Sequence, residues 1–112
     1  MSLINKAMDF AAAVKETREF IEFRQSQSLI DKNPTLKKKV EEIKRKQQEI
    51  LSINKPKQEI ESKILEVNEE VKRLSEIPEI NRYLLAGKNF SSMMSKILKT
   101  ITDSIEYDLK HK

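Results

Sequence analysis

Apolar residues recur along this chain at steps of three and four, and three prolines cut the pattern into helical segments. The first segment places Leu3, Ala7, Phe10 or Ala11, and Val14 on one face, which predicts a helix over about residues 3–15. Thr17 stands where its hydroxyl can cap the next helix. That helix is expected over about 18–31, with Phe20, Phe23, Gln27 and Ile30 in line. Asn33-Pro34 is a combined stop and start, with Asn capping and Pro at the first helical position. Pro56 and Pro78 are expected to open their helices in the same way. The third helix, about 34–52, carries Leu36, Val40, Ile43 and Ile50, with Gln47 at the step where an apolar residue is missing. The fourth carries Ile60, Ile64, Val67, Val71 and Leu74. Both show the 4-3-4-3 spacing of a coiled-coil seam. The link Asn54-Lys55-Pro56 is short enough to imply an antiparallel hairpin. A last helix, from Pro78 towards Leu109, has Ile80, Leu84, Gly87, Phe90, Met94, Ile97, Ile101 and Ile105 as its stripe. At 1.5 Å per residue it would be roughly 45 Å long. An interior glycine costs about 1 kcal/mol relative to Ala. Gly87 therefore predicts either a bend or a second backbone packed closely.

These elements define an all-α chain. The expected architecture is an elongated helical bundle of about five helices, with a central antiparallel hairpin and a long C-terminal helix, forming one domain over residues 1–112. Composition agrees: there is one Gly, no Trp, and 36% of residues are charged, which disfavours strands. On outer faces Glu59/Lys63, Glu69/Arg73 and Glu42/Lys46 stand at i, i+4 and are expected to pair. An elongated monomer leaves apolar stripes partly uncovered, and uncovered stripes become interfaces. A homo-oligomer, a dimer or higher with two-fold symmetry, is therefore expected. The longest apolar run, Phe10 to Val14, is far too short to cross a bilayer, and Asp9 interrupts any leader segment. The expected location is the cytoplasm.

Catalytic chemistry finds little footing. The absence of cysteine excludes disulfides, zinc fingers and cysteine-ligated iron–sulfur clusters. The single histidine, His111, reads as part of a frayed chain end. Neighbouring glutamates (Glu41-Glu42, Glu69-Glu70) point in different directions on a helix and read as solvated faces. Ser91, Ser92, Ser95 and Thr100 have no accompanying base, and no glycine-rich loop is present. No enzymatic activity and no cofactor are expected. Two readings remain. In the first, Ile60, Ile64, Val67, Val71 and Leu74, with Leu84, Phe90, Met94, Ile97 and Ile101, form an oligomer or partner interface, unless they are simply core. In the second, Lys37, Lys38, Lys39, Lys44, Arg45 and Lys46 contact nucleic-acid phosphates. Glu41 and Glu42 dilute that field and no aromatic interleaves it, so a solvated outer face is the favoured reading.

The order of motifs resembles the YlbF/YmcA family of small bacterial regulatory proteins. The resemblance rests on Ala7-x-x-Phe10-x-x-x-Val14-x-x-Thr17-x-Glu19-Phe20-x-x-Phe23, on Asn33-Pro34-Thr35-Leu36, and on Pro78-Glu79-Ile80-Asn81-Arg82-Tyr83-Leu84-Leu85-Ala86. The apolar steps at Phe90, Met94, Ile97 and Ile101 follow. The resemblance implies a helical, oligomerising, non-enzymatic regulator of competence, sporulation and biofilm formation in Gram-positive bacteria. It further implies association with related small helical proteins and modulation of messenger-RNA processing by the endoribonuclease RNase Y. Some members contribute cysteine to an iron–sulfur cluster; this chain has none, so that cofactor does not carry over. Ile77 also stands where the family often has Asn before the last helix.

Overall fold

A computed structural model describes residues 2–52 and 54–111. Among them are five α-helices and no strand: α1 (Leu3–Lys15), α2 (Arg18–Asp31), α3 (Pro34–Ser52), α4 (Lys57–Leu74) and α5 (Pro78–Lys110). The expected helices are all present, and the all-α class holds. One boundary moves. Pro56 lies in an extended conformation (φ −54°, ψ 146°) and caps α4 from outside, with no side-chain cap of its own. The N–H groups of Glu59 and Ile60 both donate to the Pro56 carbonyl. A proline ring fixes φ but leaves ψ free, so the same residue type can stand just outside the helix as well as inside.

The caps follow side-chain chemistry. Ser2 Oγ accepts from Asn5 N–H at 3.1 Å and starts α1. Thr17 Oγ1 accepts from Phe20 N–H at 3.2 Å while its hydroxyl donates back to the Val14 carbonyl at 2.6 Å. One residue thus closes α1 and opens α2. Asn33 Oδ1 accepts from the N–H groups of Thr35 (3.1 Å) and Leu36 (3.2 Å). Ser75 donates to the Val71 carbonyl at 2.8 Å, and the Ile77 carbonyl accepts from Asn81 N–H at 2.9 Å, so α5 starts without the Asn cap.

The chain divides into two compact units, one of Met1–Gln25 with Leu85–Lys112, the other of Ser26–Leu84. The second holds the hairpin. There α3 packs against α4, and Leu36, Val40, Ile43 and Val67 are buried together with Ile30, Ile80 and Tyr83. Lys46 Nζ donates to Glu70 Oε2 at 2.8 Å across the pair, which fixes an antiparallel register. The predicted Glu42/Lys46 pair is replaced by this one: Lys46 donates its hydrogen bond to Glu70 on the facing helix, and Glu42 acts on it through its field. On α2, Ser26 rather than Gln27 occupies the buried line; it is fully buried, and Gln27 is exposed. Both positions satisfy the helical spacing from Phe23, and the smaller side chain is the one that fits inside.

In the first unit Val14 and Ala86 are buried. Phe90 packs on Phe23 (ring centroids 5.7 Å) and Phe20 (6.0 Å). A Cβ on Gly87 would lie 3.2 Å from Cε1 of Phe23. The glycine therefore makes room for an aromatic ring, not for a backbone, and α5 runs on through it.

Candidate protein-interaction surface

The ten apolar residues proposed as an interface do not share one environment. On α4, Val67 is buried and Ile60, Val71 and Leu74 are half-buried, so this stripe serves first as hairpin packing; Ile64 is exposed. Leu84, with Val71, Leu74 and Ile80, lines a small cavity of about 70 Å³ in the hairpin unit. Phe90, Met94 and Ile97 are half-buried, and Ile101 is exposed. The α4 and α5 stripes are thus partly core and partly surface.

Further exposed apolar groups lie outside these ten residues: Leu51 on α3 and Leu65 on α4 stand singly, and others gather on α1 and α5 together with Ile101. On α1, Leu3, Ile4 and Met8 are 82%, 69% and 66% exposed. On α5, Leu98, Ile101, Ile105, Tyr107 and Leu109 are exposed, and every residue from Lys99 to His111 faces solvent. Sequence reasoning put only Ile101 of these among the site residues. Leu98 lies outside the main α5 stripe and widens the apolar surface; the missed signal was Leu109, three turns further along the same flank. In α1 it was the pair Ile4 and Met8, one turn apart on the flank away from Val14. His111 is exposed just past the end of α5, where its ring stacks on Tyr107 at 4.3 Å and its N–H donates to the Tyr107 carbonyl at 3.0 Å.

The basic block is dispersed. Lys44 Nζ lies 5.1 Å from the centroid of the Tyr83 ring, Arg45 bonds Glu49 one turn on, and Lys46 bonds Glu70. Lys37 and Lys44 border a hollow with Asp31 and Glu41, and Lys39 lies beside Glu42 and Glu70. Lys38 is exposed. Five of the six cations, all but Lys38, therefore stand beside carboxylates. Lys46 titrates above the ordinary lysine value because its hydrogen bond with Glu70 favours the charged form; Lys99 does the same with Asp103, at 2.7 Å.

Among the described residues no group of three or more His, Asp or Glu could hold a metal ion, and no helix is long and apolar enough to cross a membrane. What the fold defines is a small all-helical protein, built on an antiparallel hairpin, that presents large apolar side chains on α1 and α5. The chain belongs to the YlbF/YmcA family: the family described as control of competence regulator ComK, YlbF/YmcA, matches residues 3–106. It is also 30% identical over 102 residues to a UPF0342 protein of Caldicellulosiruptor bescii, covering 90% of this chain and 86% of that one. A UPF0342 protein of Caldicellulosiruptor saccharolyticus is 28% identical over 101 residues, covering 89% and 84%.

Proposed function

We propose that this protein is a non-enzymatic regulatory adaptor that associates with itself and with partner proteins through the apolar faces of α1 and the second half of α5. The observation that carries this reading is the exposure of Leu3, Ile4, Met8, Leu98, Ile101 and Ile105. Large apolar groups left exposed together on a helix face mark interaction sites, and helix faces of this spacing bind other helices. Family membership supplies the setting, control of competence. Within it the protein acts in the cytoplasm with related small helical proteins and influences messenger-RNA processing by RNase Y, with effects on competence, sporulation and biofilm formation. The nucleic-acid reading has less support, because three of its six cations, Lys44, Arg45 and Lys46, are engaged within the chain.

Affinity purification from a bacterial host that carries the protein, followed by mass spectrometry, tests this. The wild type is expected to recover an endoribonuclease or a related helical protein. A variant with Leu98→Asp and Ile4→Asp, both at exposed positions, is expected to lose it while keeping its helical circular dichroism. Equal recovery by both, or recovery by neither, contradicts the proposal.

A further inference from the structure

From Ser91 to Asp108, α5 carries a complete coiled-coil seam whose two polar members sit at opposite ends. The a positions are Ser91, Leu98 and Ile105; the d positions are Met94, Ile101 and Asp108. Met94 is half-buried and the other five are exposed. Flanking the seam at e and g are Ser95, Thr102 and Leu109, and Ile97 and Ser104, none of them charged. The charged groups Lys96, Lys99, Asp103 and Glu106 fall on the outer b and f positions. Most helical stability in proteins comes from packing of an apolar face, and from Leu98 to Lys110 every residue of α5 is exposed.

Asp108 decides what that something is. Opposite an apolar residue it would bury a carboxylate without a partner, which is costly. In a parallel pair of copies it would face its own mate, like charge against like. An antiparallel pair of copies, centred between Lys99 and Thr100, avoids both. It stacks Ser91 on Asp108 of the second copy, Met94 on Ile105, and Leu98 on Ile101, and then the same three layers in reverse. Each polar position meets the other, with a serine hydroxyl able to donate to the carboxylate, and each apolar position meets an apolar one. A shift by one heptad would set Asp108 against Leu98. The same alignment brings Lys96 of one copy level with Asp103 of the other, and the uncharged flanks need no counter-charges.

We infer that two copies of this chain associate through an antiparallel α5–α5 seam, registered by the Ser91–Asp108 layers over roughly 26 Å of helix. This rests on the proposed self-association and specifies its geometry.

The absence of cysteine makes the register directly readable. Met94→Cys and Ile105→Cys are made as separate chains, one with a size tag, and oxidised alone and as an equimolar mixture. The inferred seam places Met94 against Ile105 of the other copy. It separates each residue from its own mate by roughly 16 Å along the axis, beyond the Cα separation of less than about 7 Å that a disulfide spans. A mixed disulfide is expected in the mixture, several-fold above either single chain oxidised alone. Self-linked products from each variant alone would show a parallel pair and overturn the inference. A wild-type dimer by mass without the mixed disulfide would overturn this seam and leave self-association standing. A monomer at every concentration would overturn both and leave the face to a different protein.

Discussion

Asn33 and Gly87 show how much structure single residues carry here. The Asn33 side chain satisfies two of the orphan amides at the start of α3. Asn33→Ala is expected to lower stability by about 1 kcal/mol, read as a fall in denaturation midpoint at constant slope. Gly87 weighs two effects against each other. Ala in its place gains about 1 kcal/mol of helix propensity, but its Cβ meets the Phe23 ring at 3.2 Å. That ring is backed by Phe90 and half-exposed, so it can tilt by a few tenths of an ångström. Gly87→Ala should therefore leave stability within about 1 kcal/mol of the wild type, whereas the larger Gly87→Val should cost about 1–3 kcal/mol by overpacking. A thermal or denaturant series on the two variants checks the sign. The caps at Thr17 and Asn33 were legible in the sequence because capping depends on local residue type. The tenant of the space beside Gly87 was not, because it comes from a different helix, about 60 residues away in sequence.

At the scale of the elements, the hairpin is where the heptads are spent. Ile43 is 4% exposed on α3, and Val67 faces inward from α4. Ile43→Ala is expected to cost about 2–5 kcal/mol, while Leu65→Ala, on an exposed position of α4, should change stability by no more than about 0.5 kcal/mol. Equal effects in a denaturation series would contradict this assignment of faces. The Lys46–Glu70 and Lys99–Asp103 pairs raise their lysines above the ordinary 10.5. A raised lysine pKa adds stability that is fully present below the ordinary value and is lost as pH rises through the raised one. Thermal melts should therefore show no contribution from these lysines changing between neutral pH and about 10, and a small loss at higher pH, small because both pairs are exposed to solvent screening. Periodicity located every helix, since spacing fixes which residues can share a face. It could not divide the α4 stripe into buried Val67 and exposed Ile64, because burial is set by residues on other helices and not by spacing along α4. It also could not choose Ser26 over Gln27, which fit the same spacing and differ in volume and in the number of polar groups that burial would have to satisfy.

At the scale of the molecule, the helices use up part of the apolar surface and leave the rest outside. Val67, Ile80 and Tyr83 are spent on packing. Leu3, Ile4 and Met8 on α1, and the α5 residues from Leu98 onward, are not. Self-association and partner binding both follow from that remainder. The most direct measurement is sedimentation velocity on the purified wild-type chain across a wide concentration range, paired with the Leu98→Asp, Ile105→Asp variant. The wild type should sediment with at least twice the mass of one chain, and the variant should shift towards the single-chain mass with its helical content unchanged. A wild type that stays at the single-chain mass at every concentration contradicts the proposed role of these faces in self-association.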